Sequence, residues 1–193
     1  QLLETADANA SIDVGVSEED LVDSTADTIS SNHSTIEELR EKASLIRSQG
    51  KRLHDDGDFR AAAQQFASAA DLLEHHSELS DEYATCKLHQ ALCCLKIEHY
   101  EDAQAACTCV IDLEEETELS PALRARAFHR RAKAKLALGD DVDEALADAR
   151  SAAFLGDSKA VTLYGKLMRQ KSGGFDVDTT TSSSLFESLL SKS

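Results

Sequence analysis

Apolar residues fall at helical spacing over most of this chain, in paired runs separated by short polar turns. Ala62, Phe66, Ala69, Leu72 and Leu73 share one helix face. Leu88, Ala91, Leu92 and Leu95 make a second stripe, and Ala103, Ala106, Val110 and Ile111 a third. Ala160, Leu163, Tyr164, Leu167 and Met168 make a last one, with Lys159, Lys166 and Arg169 on the face expected to meet water. The stripes repeat. Ala43, Ala84 and Ala125 stand 41 residues apart, and small or turn positions recur with them at Gly50, Ala91 and Ala132, at Gly57, Glu98 and Gly139, and at Ala62, Ala103 and Ala145. A repeat of this length predicts stacked supersecondary units rather than a single catalytic fold.

The punctuation between stripes sets the expected boundaries. Ser34 or Thr35, with Glu37 or Glu38, reads as a capping box that opens a first helix running to about Asp56. Gly57-Asp58 makes a turn, and Asp58 caps a second helix. A second pair starts near Asp81, and a third at Ser120-Pro121, a cap residue followed by proline at the first helical position. Gly139 breaks that helix, the next one runs from about Asp143 to Gly156, and a capping helix spans about Ser158 to Gln170. The fold class expected is therefore all-α. Repeats lie near 43–83, 84–124 and 125–157 within a domain of 34–170, between an arm of 1–33 and a Ser/Thr-rich tail of 171–193. In the tail, Ser184 to Leu190 reads either as a short amphipathic segment suited to docking or as a solvated tail.

Composition narrows what such a stack does. With 193 residues and formal charge −16, the chain has no bulk affinity for nucleic acid or anionic lipid, and no apolar run is long enough to span a bilayer. The arm holds eight carboxylates (Glu4, Asp7, Asp13, Glu18, Glu19, Asp20, Asp23 and Asp27) and no lysine or arginine, so it is expected to be disordered until it meets a basic partner. The five cysteines, Cys86, Cys93, Cys94, Cys107 and Cys109, lack paired metal-ligand spacing and read as small buried side chains in a reducing compartment. Cys94 and Cys107 would bridge only in an oxidising one. No metal or cofactor is expected. Asn9-Ala-Ser and Asn32-His-Ser are glycosylation sequons in tails where such matches arise cheaply. His75-His76 reads as a solvated helix end.

These residues resemble tetratricopeptide repeats. The first unit carries Ile46, Gly50, Leu53, Gly57-Asp58-Phe59, Ala62, Phe66 and Ala69. The second keeps Ala91, Cys94, Tyr100, Ala103, Cys107 and Val110; the third keeps Ala132, Lys135, Gly139, Val142, Ala145, Ala149 and Ala152, with one extra residue in its turn. The resemblance covers about 37–170 and implies a right-handed superhelical stack of three helix-turn-helix repeats closed by a C-terminal capping helix. First helices would line a concave groove, with second helices outside. The family's usual period is about 34 residues, so each unit here must lengthen its second helix or its exit loop.

The one dense basic run of the acidic chain is Arg124, Arg126, His129, Arg130, Arg131, Lys133 and Lys135. It reads either as a solvated face balanced by carboxylates such as Glu114, Glu115 and Glu116, or as a groove lining. The resemblance extends to co-chaperones that grip acidic chaperone tails with a carboxylate clamp. Carried over, Arg47 matches the family's first lysine, and Arg126 and Arg130 match its last Lys-Arg pair. Lys51 and His89 stand where the family has asparagines, which donate and accept where Lys51 only donates. The candidate peptide-binding residues are thus Arg47, Lys51, His89, Arg126 and Arg130, with no catalytic residue. The expected function is a non-enzymatic adaptor in the cytoplasm whose groove takes an acidic C-terminal peptide, such as a heat-shock chaperone tail; His89 among arginines is expected to favour its neutral form, its protonation in mild acid being what would strengthen anion binding. The alternative is an assembly subunit of a larger, organellar complex, for which Gln1 in place of methionine fits a processed import precursor.

Overall fold

The computed structural model describes the backbone of residues 18–113 and 118–172, with side chains from Thr35 onward. Among these residues the chain is all-α: α1 (Glu18–Asp55), α2 (Phe59–Asp71), α3 (Ser80–Lys96), α4 (Tyr100–Asp112), α5 (Pro121–Leu138), α6 (Val142–Phe154) and α7 (Ser158–Lys171), with a 3-10 turn at Ser77–Leu79. The chain divides into two compact units, Gln1–Glu38 and Leu39–Ser193. The first contributes the opening of α1, and the second holds the repeats.

Helix α1 begins at Glu18, well before Ser34, so helix covers part of the segment read as an irregular acidic arm. Ser34 and Thr35 lie inside it and open nothing. No proline or glycine interrupts 18–49, so no local sequence signal ends the helix there. Residues 1–17, the Glu114–Glu116 run and the Ser184–Leu190 segment lie outside the described residues.

Consecutive helices pack in order, α2 on α3, α3 on α4, and so on to α7, while α3 also meets α5. That last contact makes the first helices of neighbouring pairs a continuous layer. The small positions explain how close the layers come. Ala62, Ala91, Ala103, Ala132 and Ala145 are each 0% exposed. At Gly50 a Cβ would lie 3.0 Å from Cε1 of Phe66, so a larger residue there would displace the ring. Phe66 is itself 1% exposed and packs with Ala62, Cys93, Leu53 and Phe59; burying such a ring contributes roughly 1.5–3 kcal/mol. The largest core, between the second and third pairs, joins Leu88, Cys107, Val110, Leu119 and Leu123.

The three pairs end their first helices in the same way. Gly57 (φ 86°), Glu98 (φ 62°) and Gly139 (φ 79°) occupy the left-handed region. The following amide reaches back to the last turn: Asp58 N–H donates to the Leu53 carbonyl at 2.9 Å, His99 to Cys94 at 2.9 Å and Asp140 to Lys135 at 3.0 Å. This is the Schellman ending, which glycine satisfies without a Cβ penalty. Gly156 (φ 92°) repeats it after α6. Asp58 then caps α2 through Ala61 N–H at 3.0 Å, and Asp141, after the extra turn residue, caps α6 through Asp143 N–H at 3.0 Å. The second helices α2 and α4 are 13 residues each, so the residues that lengthen each unit follow Asp71 and Asp112 rather than extending those helices.

Cys86, Cys93, Cys94 and Cys107 are buried free thiols, as a small-residue role requires, but Cys109 is exposed on α4. The expectation of burial fails there because Cys109 follows the buried Cys107 by two positions, which turns it to the far side of a helix. Cys94 and Cys107 are unbridged.

Glu98 is the lone non-glycine at positive φ among the described residues. Replacing it with glycine is expected to stabilise the fold by about 1 kcal/mol, a rise in melting temperature of about 2–4 °C. Gly139→Ala should lower it. Thermal denaturation followed by circular dichroism reads both.

Candidate functional site

The first-helix layer brings the sequence-predicted residues to one neighbourhood. His89, on α3, stacks on the Phe66 ring at 5.0 Å between centroids and 24° between planes. Gly50 leaves the room that Phe66 fills, so the smallest residue of α1 indirectly sets where the His89 imidazole lies. Arg130, on α5, crosses to α3 and donates through Nη1 to the Leu88 carbonyl. It is therefore held by structure as well as available to the groove. Burial pushes its pKa down, and the neighbouring charge of Arg126, one turn earlier, adds to that.

Charge ties the cluster together. Burial is the main cause that lowers the His89 pKa from 6.5 to about 4; Arg130 depresses it further, and Lys51 and Arg47 contribute the same sign, with only the Thr85 backbone opposing. Three cations from two other helices thus act on one imidazole. Arg126 joins through Arg130. Lys51 and Arg126 are exposed, whereas Arg47, His89 and Arg130 are half-buried. A neutral imidazole between cations repels no anion and adds no charge of its own. The neutral form expected of His89 is favoured by burial and by three cations, which push its pKa down to about 4, so protonation adds positive charge to the groove only near that pH.

The basic run of α5 divides by face. Arg131 makes a bidentate pair with Asp148 of α6, Nε to Oδ2 at 2.9 Å and Nη2 to Oδ1 at 2.8 Å. Lys135 reaches Glu144 at 3.0 Å and Asp148 at 3.3 Å. These cations face carboxylates of the following helix, Asp148 being only 5% exposed. His129 pairs with Asp157 at 2.9 Å. Asp157 also caps α7, accepting from Lys159 N–H at 2.8 Å and Ala160 N–H at 3.2 Å. The other face, Arg126, His129, Arg130 and Lys133, lines a cleft of about 470 Å³ against Leu92 and Leu95 of α3 and the start of α7. Spacings of three and four along α5 put these four on one face, a signal present in the sequence beside the two arginines singled out. Lys159 borders the same cleft from α7, which only the tertiary stack reveals.

No protein-family model matches the chain. Solved structures do. The first tetratricopeptide domain of Spaghetti (RPAP3), bound to the HSP90 peptide SRMEEVD, superposes with TM-score 0.57 at 16% identity, covering 69% of this chain and 95% of that one. The second such domain of human RPAP3, in complex with the HSP70 peptide SGPTIEEVD, gives TM-score 0.55 at 24% identity, covering 67% of this chain and 98% of that one. The first domain of human RPAP3 gives 0.55 at 15%, covering 70% and 97%. The fold is that of a tetratricopeptide-repeat domain. At such identities the likeness concerns the backbone, and the side chains of the groove are this domain's own. Among the described residues of the domain, no group of His, Cys, Asp and Glu is arranged to hold a metal, and no helix is long and apolar enough to cross a membrane.

Two measurements probe these electrostatics. Because the folded-state pKa of His89 is depressed, the unfolded chain binds the extra proton. His89 therefore supports folding above pH 6.5, and that support drains away as pH falls towards about 4. The stability deficit of His89→Asn relative to the parent should accordingly shrink between pH 7 and pH 4.5 in urea unfolding; a constant deficit would contradict the assignment. Asp148→Ala removes the bidentate carboxylate of Arg131 and leaves Lys135 with Glu144 alone; it should cost about 3 kcal/mol, read by the same method.

Proposed function

We propose that this tetratricopeptide domain is a non-catalytic adaptor whose groove holds an acidic C-terminal peptide of a partner protein. One observation carries the reading: Arg47, Lys51 and Arg130 all bear on His89, with Arg126 beside them, in a chain of formal charge −16. Cations gathered from two helices, α1 and α5, against the prevailing charge are costly to assemble unless an anion comes to them. A terminal carboxylate beside an acidic side chain offers the acceptors that lysine and arginine donors lack.

The peptides bound by the structural neighbours, SRMEEVD of HSP90 and SGPTIEEVD of HSP70, have this chemistry. They make heat-shock chaperone tails the first partners to consider. The groove differs from the clamp pattern at Lys51 and His89. Lys51 adds a mobile cation where an amide would fix geometry, and neutral His89 supplies one donor and one acceptor. This divergent clamp would therefore select by charge more than by amide geometry.

The test is titration of SRMEEVD, as free acid and as C-terminal amide, by calorimetry. The free acid should bind, the amide should bind more weakly, and Arg126→Ala or Lys51→Ala should weaken the free acid by roughly ten-fold, the value of one charge-assisted hydrogen bond. Both residues are exposed, so neither change disturbs the core. Equal binding of acid and amide, or no effect of either substitution, overturns the clamp. No binding of any acidic peptide overturns the adaptor reading and favours a subunit role.

A further inference from the structure

The cleft between α5 and α7 holds more positive charge than a single carboxylate clamp uses. Arg126, Arg130 and Lys133 line it from α5, and Lys159 from α7. Its one carboxylate, Asp157, is already engaged by two backbone N–H groups of α7 and by His129. Arg126, Lys133 and Lys159 make no ion pair among the described residues, in contrast to Arg131 and Lys135 on the opposite face of α5. Four cations against one carboxylate leave an excess of three before the imidazole is counted.

His129 adds a feature that suits one class of anion. The Asp157 carboxylate accepts from Nδ1 at 2.9 Å, so that nitrogen carries the proton and Nε2 remains the free ring position. In the neutral ring Nε2 is an acceptor. A carboxylate offers it nothing to accept. A phosphate monoester keeps its second proton up to about pH 6 and as the monoanion can donate it to Nε2; as the dianion it brings twice the charge of a carboxylate, and three oxygens, to the lysine and arginine donors. The apolar side of the cleft, Leu92, Leu95 and Leu155, lowers the local dielectric and strengthens such contacts.

We propose that this cleft is a phosphoryl subsite, in which Lys133, Lys159, His129 and Arg126 receive a phosphoserine or phosphothreonine side chain of a bound partner. Lys133 and Lys159 have no counterpart among the residues assigned to the clamp. The inference deepens the peptide-groove reading and shares Arg126 with it, but it rests on Lys133, Lys159 and His129, which the clamp does not use, so the two can fail separately. Phosphorylation of the partner would then tune affinity, since an added dianion meets cations already in place.

The experiment is an NMR titration of the full chain with O-phosphoserine and, separately, with glutamate, at constant ionic strength. Phosphoserine should bind at least ten-fold more tightly, with the largest shifts at Lys133, Lys159 and His129. The Lys133→Ala/Lys159→Ala double variant should erase the difference. Both lysines are exposed, and an unchanged thermal melt would show the variant is folded. Equal binding of the two amino acids, or an unchanged preference in the double variant, overturns the subsite. If SRMEEVD binds and phosphoserine shows no preference, the clamp stands without the subsite. If phosphoserine is preferred and SRMEEVD does not bind, the subsite stands and the clamp falls.

Discussion

Close approach of helices at small residues is the constraint from which the rest of this structure follows. A bulky side chain at Gly50 would collide with Phe66, and the alanines at the equivalent positions of the next pairs have no exposure at all. Because those positions are small, the paired helices come near enough for their larger neighbours to interlock. Because the helices interlock in sequence, α3 and α5 end side by side. Only then can Arg130 reach the Leu88 carbonyl and His89 feel charges from α1 and α5. The groove is thus a by-product of packing, decorated by whichever residues the first helices carry.

Much of the scaffold is legible in the sequence because its determinants are local. The glycines mark the helix ends, Asp58 its cap and Ser120-Pro121 the start of α5, and each is found at its place, the glycines in the left-handed region. The start of α1 is not legible. A capping box at Ser34 is a local signal, and an uninterrupted acidic stretch before it continues the helix through it. Cys109 differs for a related reason: residue type alone suggests burial, and the helix face decides otherwise.

The site is legible only in part. Helical spacing places Arg126 with Arg130, and Arg47 with Lys51. What the sequence leaves open is which carboxylates answer which cations. Asp148, far along the chain from Arg131, takes the outward face of the basic run, and Asp157 takes His129. Sequence proximity points to Glu114–Glu116 instead. Pairing across helices depends on the stack, and the same stack delivers Lys159 to the cleft from a helix whose main task is to close the apolar end.

The single exposed thiol has a practical consequence. Of the chain's five cysteines, four are enclosed between helices, with burial pushing their pKa values up to about 11 or 12, so little thiolate is present near neutral pH. Cys109 sits on α4, the second helix of the middle pair, and is not among the residues that line the cleft. A thiol-reactive fluorophore would therefore mark one position on the native protein without any engineering, on a residue that does not line the cleft.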